Sequence, residues 1–177
     1  QKLGKSSDAE EVRAAVAAPA KMLKPGVRER DQACPWLKGF LDHEDPVVAR
    51  ISIESIGELC PHNMFDDIID AAERRREARA LDDRYMNQLN ELCDPQSVIS
   101  KKRGTPERSC ERMFKFFETV GEDGKLPVTP RTVALRSLAN RPTKETVEFC
   151  QKMAAVFKAQ KRRPPPNFDF RLGEAAG

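Results

Sequence analysis

The apolar positions of the chain recur with the spacing of amphipathic helices. In residues 65–80, Phe65, Ile68, Ile69 and Ala72 fall at positions i, i+3, i+4 and i+7, and charged residues occupy the other side. The same stripe recurs in two later segments, residues 110–120 and 145–160. This spacing predicts three helices of one class, each with one apolar face.

A second class of helix is predicted between these segments. Residues 53–61, 86–95 and 132–142 end alike, with a leucine stripe followed by a proline that cannot continue a helix. Aligning Leu59, Leu92 and Leu138 places the first two copies 33 residues apart and the next pair 46 apart. The excess falls in the polar stretch from Ser97 to Glu107, which we predict to be a loop insertion. A period in the low thirties is typical of a helix-pair solenoid.

The N-terminal part adds shorter helices. Ser7 to Glu10 has the capping-box pattern and opens an alanine-rich helix that Pro19 is expected to interrupt. Residues 34–41 form a short apolar helix. The sequence thus predicts about seven helices and no strand, an all-α protein built as a short right-handed α-solenoid. We divide it into an N-terminal helix and linker (1–30), a helical-repeat domain (31–163) and a proline-rich extended C-terminal arm (164–177).

Composition restricts the function classes. The 177 residues suit one domain, and 31 Lys+Arg against 28 Asp+Glu give a formal net charge of +3, which does not by itself indicate nucleic-acid binding. Aromatic residues make up only 6% of the chain, which favours helices over a β-sandwich. No apolar run approaches the roughly 18 residues that a membrane span requires, so no transmembrane segment is expected.

The five cysteines are distributed over the whole chain and include no Cys-x-x-Cys pair. Each lies beside apolar residues at helical spacing, so we interpret them as small buried hydrophobic residues in a reducing compartment, not as disulfide or zinc ligands. His43 and His62, the two histidines, have no metal-ligand spacing. No metal and no cofactor are expected.

Residues 46–160 resemble pentatricopeptide (PPR) repeats. The stretch CERMFKFFETVGEDGKLP at 110–127 is similar to one half of that repeat, and YMNQLNELC at 85–93 to the other half. Asp45 to Arg50 resembles a HEAT-type repeat instead, and tetratricopeptide repeats are a third alternative. All three families imply an α-solenoid.

The PPR resemblance implies binding of single-stranded RNA in an organelle, with one base read per repeat. Carried over to this chain, the reading positions are Ile53, Met86 and Thr132, and only Thr132 can hydrogen-bond a base edge. The resemblance therefore implies the fold more strongly than RNA reading, which we keep as the alternative function.

Basic clusters offer another route to nucleic acid. Arg74, Arg75 and Arg76 are expected to pair with the aspartates of the neighbouring turns, namely Asp66, Asp67, Asp70, Asp82 and Asp83. Residues 101–103 and 158–163 are basic without interleaved acids, and could contact phosphate or an acidic protein surface.

No catalytic motif is present, since the chain lacks a glycine-rich phosphate loop, a Gly-x-Ser-x-Gly elbow and a His-Glu-x-x-His pair. Cys60 and His62 could form a dyad only by folding, and we interpret Cys60 as a core residue. Asp66, Asp67, Asp82 and Asp83 are expected at helix starts, where they complement the helix dipole. The sequence predicts a protein that is not an enzyme.

The function expected is that of an accessory subunit that docks on a large mitochondrial protein complex. In size, helix layout, repeat type and a first residue, Gln1, that is not methionine, the chain resembles the extra subunit that euglenozoan mitochondrial ATP synthases carry on the catalytic head, bound to the α subunit. A subunit of a mitochondrial ribosome or of a respiratory complex is the alternative. The resemblance implies a location on the matrix side. The residues expected to bind the partner lie in the last helix end and the arm: Lys161, Arg162, Arg163, Phe168, Phe170, Arg171 and Leu172.

Overall fold

The computed structural model describes residues 8–23, 29–105, 107–139 and 143–159. These ranges are all-α, with no strand. They contain a 3-10 helix, His62–Met64, and nine α-helices: α1 (Ala9–Met22), α2 (Glu29–Lys38), α3 (Pro46–Leu59), α4 (Phe65–Glu77), α5 (Asp83–Cys93), α6 (Val98–Arg103), α7 (Glu107–Glu122), α8 (Val128–Ala139) and α9 (Lys144–Ala159). The all-α prediction is confirmed.

One helix lies where the sequence predicted a loop. The stretch from Ser97 to Glu107 contains α6, which begins because the Ser97 side chain accepts a hydrogen bond from the Ser100 backbone N–H at 3.0 Å. It ends at Gly104, whose φ of +59° is the left-handed conformation that glycine adopts without strain. The six-residue helix VISKKR has no apolar stripe, so its periodicity could not reveal it.

The N-terminal helix also differs from its prediction. Asp8 caps α1, accepting hydrogen bonds from the backbone N–H groups of Glu10 and Glu11, whereas Ser7 lies outside the described residues. Pro19 does not interrupt the helix, which continues to Met22. Its position close to the C-terminal end means that few residues of the helix follow it.

The helices contact one another in an ordered way. In one series α1 packs on α3, α3 on α5, and α5 on α8; in another α4 packs on α7, and α7 on α9. Helix α7 also packs on α8, which joins the two series, and α2 packs on α3. The aligned leucines Leu59, Leu92 and Leu138 are all buried in the core between them. The two classes of helix that the sequence distinguished therefore form two separate contact series.

Two glycines lie where neighbouring helices approach closely. A Cβ on Gly57 of α3 would be 2.3 Å from Leu92 Cδ2 of α5, and one on Gly121 of α7 would be 2.9 Å from Leu135 Cδ2 of α8. Gly121 belongs to α7, which continues to Glu122. The absence of a side chain at Gly121 lets Leu135 pack against the helix backbone.

The interpretation of the cysteines as free hydrophobic residues is wrong for four of the five. Cys34 of α2 is disulfide-bonded to Cys60 after α3, and Cys93 at the end of α5 to Cys110 of α7. Only Cys150 is free, and it is buried. The four bonded cysteines are also core residues, so their burial was predicted correctly while their pairing was not. Because disulfides persist in oxidising compartments, the argument for a reducing one no longer follows from the cysteines.

Candidate partner-binding surfaces

The C-terminal partner-binding residues predicted from the sequence are not part of the structure described. Lys161, Arg162, Arg163, Phe168, Phe170, Arg171 and Leu172 all lie outside the described residues. Their role in docking stays a prediction.

The three positions that correspond to RNA reading lie on α3, α5 and α8. Ile53 and Met86 are both 0% exposed and belong to the core. Thr132 is half-buried on α8, beside Arg131, whose Nε donates a hydrogen bond to the Gly121 carbonyl oxygen at 3.1 Å. Two of the three side chains therefore cannot reach a base, whatever their chemistry.

Carboxylate side chains occupy solvent-facing positions on α3 and α5, the helices that carry Ile53 and Met86. Burial, together with the nearby carboxylates of Glu58 and Glu91, raises the pKa of Glu54. Glu54 and Glu58 lie on α3 and Glu91 on α5, so negative charge spans the contact between these helices. A phosphate backbone would be repelled from this surface.

The Arg74–Arg76 run is ion-paired, although not with the aspartates that we expected. Arg74 Nη2 lies 2.6 Å from Asp42 Oδ2, and Arg76 Nη1 lies 3.1 Å from Asp123 Oδ2. Arg75 donates to the His43 carbonyl oxygen at 2.6 Å and stacks over the Tyr85 ring, 5.0 Å from its centroid. The hydrogen-bonded partners of these arginines are 32 or 47 residues away in the sequence, so they join α4 to the segments after α2 and α7 instead of linking successive turns of one helix.

The expected aspartates have other partners. Asp66 and Asp70 on α4 both pair with Arg112 of α7, and Asp67 lies 2.6 Å from Lys38 Nζ. Asp82 caps α5 by accepting a hydrogen bond from the Tyr85 N–H at 2.7 Å. The prediction that these aspartates lie at helix starts is confirmed for Asp66, Asp67, Asp82 and Asp83. The outer side of α4 is thus electrostatically satisfied and is a poor phosphate track.

The second basic cluster consists of residues 101–103. Its two lysines are exposed, whereas its arginine is hydrogen-bonded to backbone carbonyl groups. Lys101 Nζ donates to Gln96 Oε1 at 3.1 Å, and Lys102 is exposed. Arg103 donates to the carbonyl oxygens of Glu58 at 3.0 Å and Cys60 at 2.5 Å, which are free acceptors at the C-terminal end of α3. Arg103 therefore has a structural role that the sequence did not indicate.

An apolar groove lies between α1 and α2. It has a volume of about 370 Å³ and is lined mainly by apolar side chains: Ala15, Pro19, Met22, Leu23, Ala33 and Trp36. Met22 at its edge is 79% exposed, although methionine is usually buried. We did not predict this groove, because the alanine-rich helix gives no pattern that distinguishes an open apolar face from a covered one.

The Cys60–His62 dyad considered from the sequence is not formed. Cys60 has no thiol, since its sulfur is bonded to Cys34, so the Cys60–His62 arrangement is excluded. Within the described ranges no group of three His, Cys, Asp or Glu side chains is placed to hold a metal ion. None of the described helices combines the length and the apolar character that crossing a membrane requires.

Comparison with known proteins adds no further constraint. No protein family, no curated protein and no solved structure matches the chain.

Proposed function

We propose that this protein is a short right-handed helical-repeat subunit, without catalytic activity, that docks on a large mitochondrial protein complex. The best single candidate for its partner is the α subunit in the catalytic head of an F-type ATP synthase. This assignment of the partner rests on the resemblance of the sequence to PPR-type accessory subunits.

The order of helix contacts is the observation that carries the proposal. If α3 and α4, α5 and α7, and α8 and α9 are taken as pairs, the first members contact each other in sequence order and so do the second members. These two ordered series support a solenoid of stacked helix pairs. Stacked helix pairs provide a rigid extended surface, and protein docking is the usual function of such a surface when it carries no catalytic groups.

The charges favour a protein partner over the alternative, an organellar PPR-type RNA-binding protein. The core positions of Ile53 and Met86 leave Thr132 as the one candidate reading residue, and a single base contact gives little specificity. The carboxylates Glu54 and Glu91 are close to the two buried positions along their helices. In contrast, the open α1–α2 groove is an exposed apolar patch, and such patches mark interaction sites.

The disulfides count against a location in the mitochondrial matrix, because thiol buffers keep most cysteines reduced in such compartments. However, all four disulfide-bonded cysteines are buried, which protects their sulfur atoms from reduction. Cys34, Cys60, Cys93 and Cys110 are at most 7% exposed, and thiol exchange requires access to a sulfur atom.

The test is to express the tagged full chain at its native level and to analyse intact complexes on native gels by mass spectrometry. We expect it to co-migrate with a large assembly that contains the ATP synthase α subunit. Deletion of residues 167–177, or charge reversal of Lys161, Arg162 and Arg163, should weaken co-migration. Charge reversal of Lys101 and Lys102 is a control that changes a different basic surface.

Two outcomes would refute the proposal. One is migration of the protein at its own mass, 20.0 kDa, in every extract. The other is association with RNA that nuclease treatment abolishes, which would favour the alternative function.

A further inference from the structure

Three basic side chains from different elements converge around Cys60. Arg103 of α6 donates its Nη2 to the Cys60 carbonyl oxygen, and His62 follows two residues later at the start of the 3-10 helix. Arg30 of α2 lies one turn before Cys34, which is disulfide-bonded to Cys60, so both side chains project from the same side of α2. The disulfide therefore brings the side of α2 that carries Arg30 towards Arg103 and His62.

The proximity of the three groups is also seen in their mutual electrostatic effects. Burial, and then the charge of Arg30, lowers the pKa of Arg103. Burial, and then the charge of Arg103, lowers the pKa of His62. Arg30 thus disfavours the charged form of Arg103, and Arg103 that of His62, as expected of neighbouring cations.

Donor atoms in this cluster lack partners among the described residues. Arg30 Nε and His62 Nε2 are buried and make no hydrogen bond there. The Arg30 Nε atom is 3.8 Å from Asp31 Oδ1, too far for a hydrogen bond, and the Asp31 side chain is 73% exposed. A buried polar atom without a partner destabilises the fold, so a ligand that supplies acceptors here would stabilise it.

We propose that Arg30, His62 and Arg103 form a binding site for a phosphate ion, or for the terminal phosphate of a small molecule. A tetrahedral oxyanion presents acceptor oxygens in several directions, which suits donors from α2, α6 and the segment after α3 better than a planar carboxylate does. The site uses no residue of the proposed docking surfaces and does not depend on the proposed function.

The two histidines of the chain provide the assay. In NMR titrations of the purified full-length protein, added inorganic phosphate should raise the pKa of His62, because a bound anion favours the imidazolium. The charged group that acts on His62 is Arg103 from α6, and Arg30 from α2 in turn acts on Arg103. His43 is the internal control, since its Nδ1 accepts a hydrogen bond from the Asp45 N–H at 3.1 Å. Its ring signals should not move when chloride is replaced by phosphate at equal ionic strength.

The variant Arg30→Gln should weaken phosphate binding about tenfold or more, the effect of removing one hydrogen bond to a charged group. Lys102→Gln removes the same charge from an exposed residue next to Arg103 and should bind phosphate like the parent. Arg30 is the residue of choice because Arg103 also holds the end of α3. Far-ultraviolet circular dichroism of both variants checks that they are folded.

Three results would overturn the proposal. The first is an equal shift of both histidines, which would indicate an ionic-strength effect. The second is unchanged phosphate affinity in Arg30→Gln. The third is a His62 response to acetate or to single-stranded RNA but not to phosphate, which would assign the cluster to a carboxylate or a phosphodiester.

Discussion

Removal of the disulfides gives the most quantitative prediction about the fold. Cys34 and Cys60 are separated by 26 residues, and Cys93 and Cys110 by 17. The loop-entropy relation assigns about 3.5 kcal/mol to a closed loop of the first size and about 3 kcal/mol to the second. Since a domain is typically stable by only about 5–15 kcal/mol, loss of both bonds would remove a large part of the total.

The perturbation is the double variant Cys93→Ala with Cys110→Ala, which leaves no unpaired thiol at that bond. We expect a loss of about 3 kcal/mol in the free energy of unfolding, or about 6–12 °C in Tm for a chain of this length. The loss should arise in the unfolded state, which becomes less restricted. Urea unfolding curves with and without a phosphine reductant measure it.

Cys150 provides the matched control. Its substitution by alanine removes a thiol that forms no disulfide, so the response to reductant should remain. Burial, and then the charge of Glu118, raises the pKa of Cys150 to about 11, so a thiol reagent should label it slowly in the native state. After unfolding without reductant, one thiol per chain should react, and after reduction five.

The reasoning would be refuted by a reductant that leaves the unfolding midpoint unchanged in protein purified under air. A count of five reactive thiols in unfolded, unreduced protein would be equally decisive. Either result would restore the interpretation of all five cysteines as hydrophobic core residues.

Three further substitutions test individual contacts by urea unfolding. Arg79 has a φ of +57° at the end of α4, where Ala80 N–H donates to the Arg75 carbonyl oxygen, so Arg79→Gly should stabilise the protein by about 0.5–1 kcal/mol; a loss of stability would contradict this. Asp45 caps α3 and binds Arg13, so Asp45→Ala should cost about 1 kcal/mol at pH 7. Burial alone would raise the Asp45 pKa, but its hydrogen bonds lower it overall from 3.8, so this cost should disappear as the pH falls through the lowered value. Glu54→Gln should stabilise the protein at pH 7 and have no effect well below pH 4.5, because the raised pKa means that the ionised form weakens the fold; equal effects at both pH values would exclude this explanation.

The helices that the sequence predicted best are those with a strong local pattern. Phe65, Ile68, Ile69 and Ala72 are all buried on α4, as their spacing required. Helix α6 was missed because a six-residue polar helix is defined by its Ser97 cap and by the left-handed Gly104, and not by periodicity. Local patterns thus predicted the long helices and failed for the short one.

Pairings between distant residues could not be read from the sequence. Which cysteines bond depends on how α2, α3, α5 and α7 approach each other, and spacing alone does not determine connectivity. The same holds for Arg74, whose nearest aspartates in the sequence are not its partners because Asp42 reaches it from the segment after α2. The cluster of Arg30, His62 and Arg103 is a third case, since its members are 32 and 41 residues apart in the chain.

The central claim is that the protein functions as a docked subunit of a large assembly. Its most direct test is native-gel separation of gently lysed mitochondria, followed by identification of the proteins that co-migrate with the tagged full chain. We predict one high-mass band that also contains the ATP synthase α subunit and that persists after ribonuclease treatment. Recovery of the chain only at its monomer mass, or in particles that ribonuclease disperses, would contradict the account.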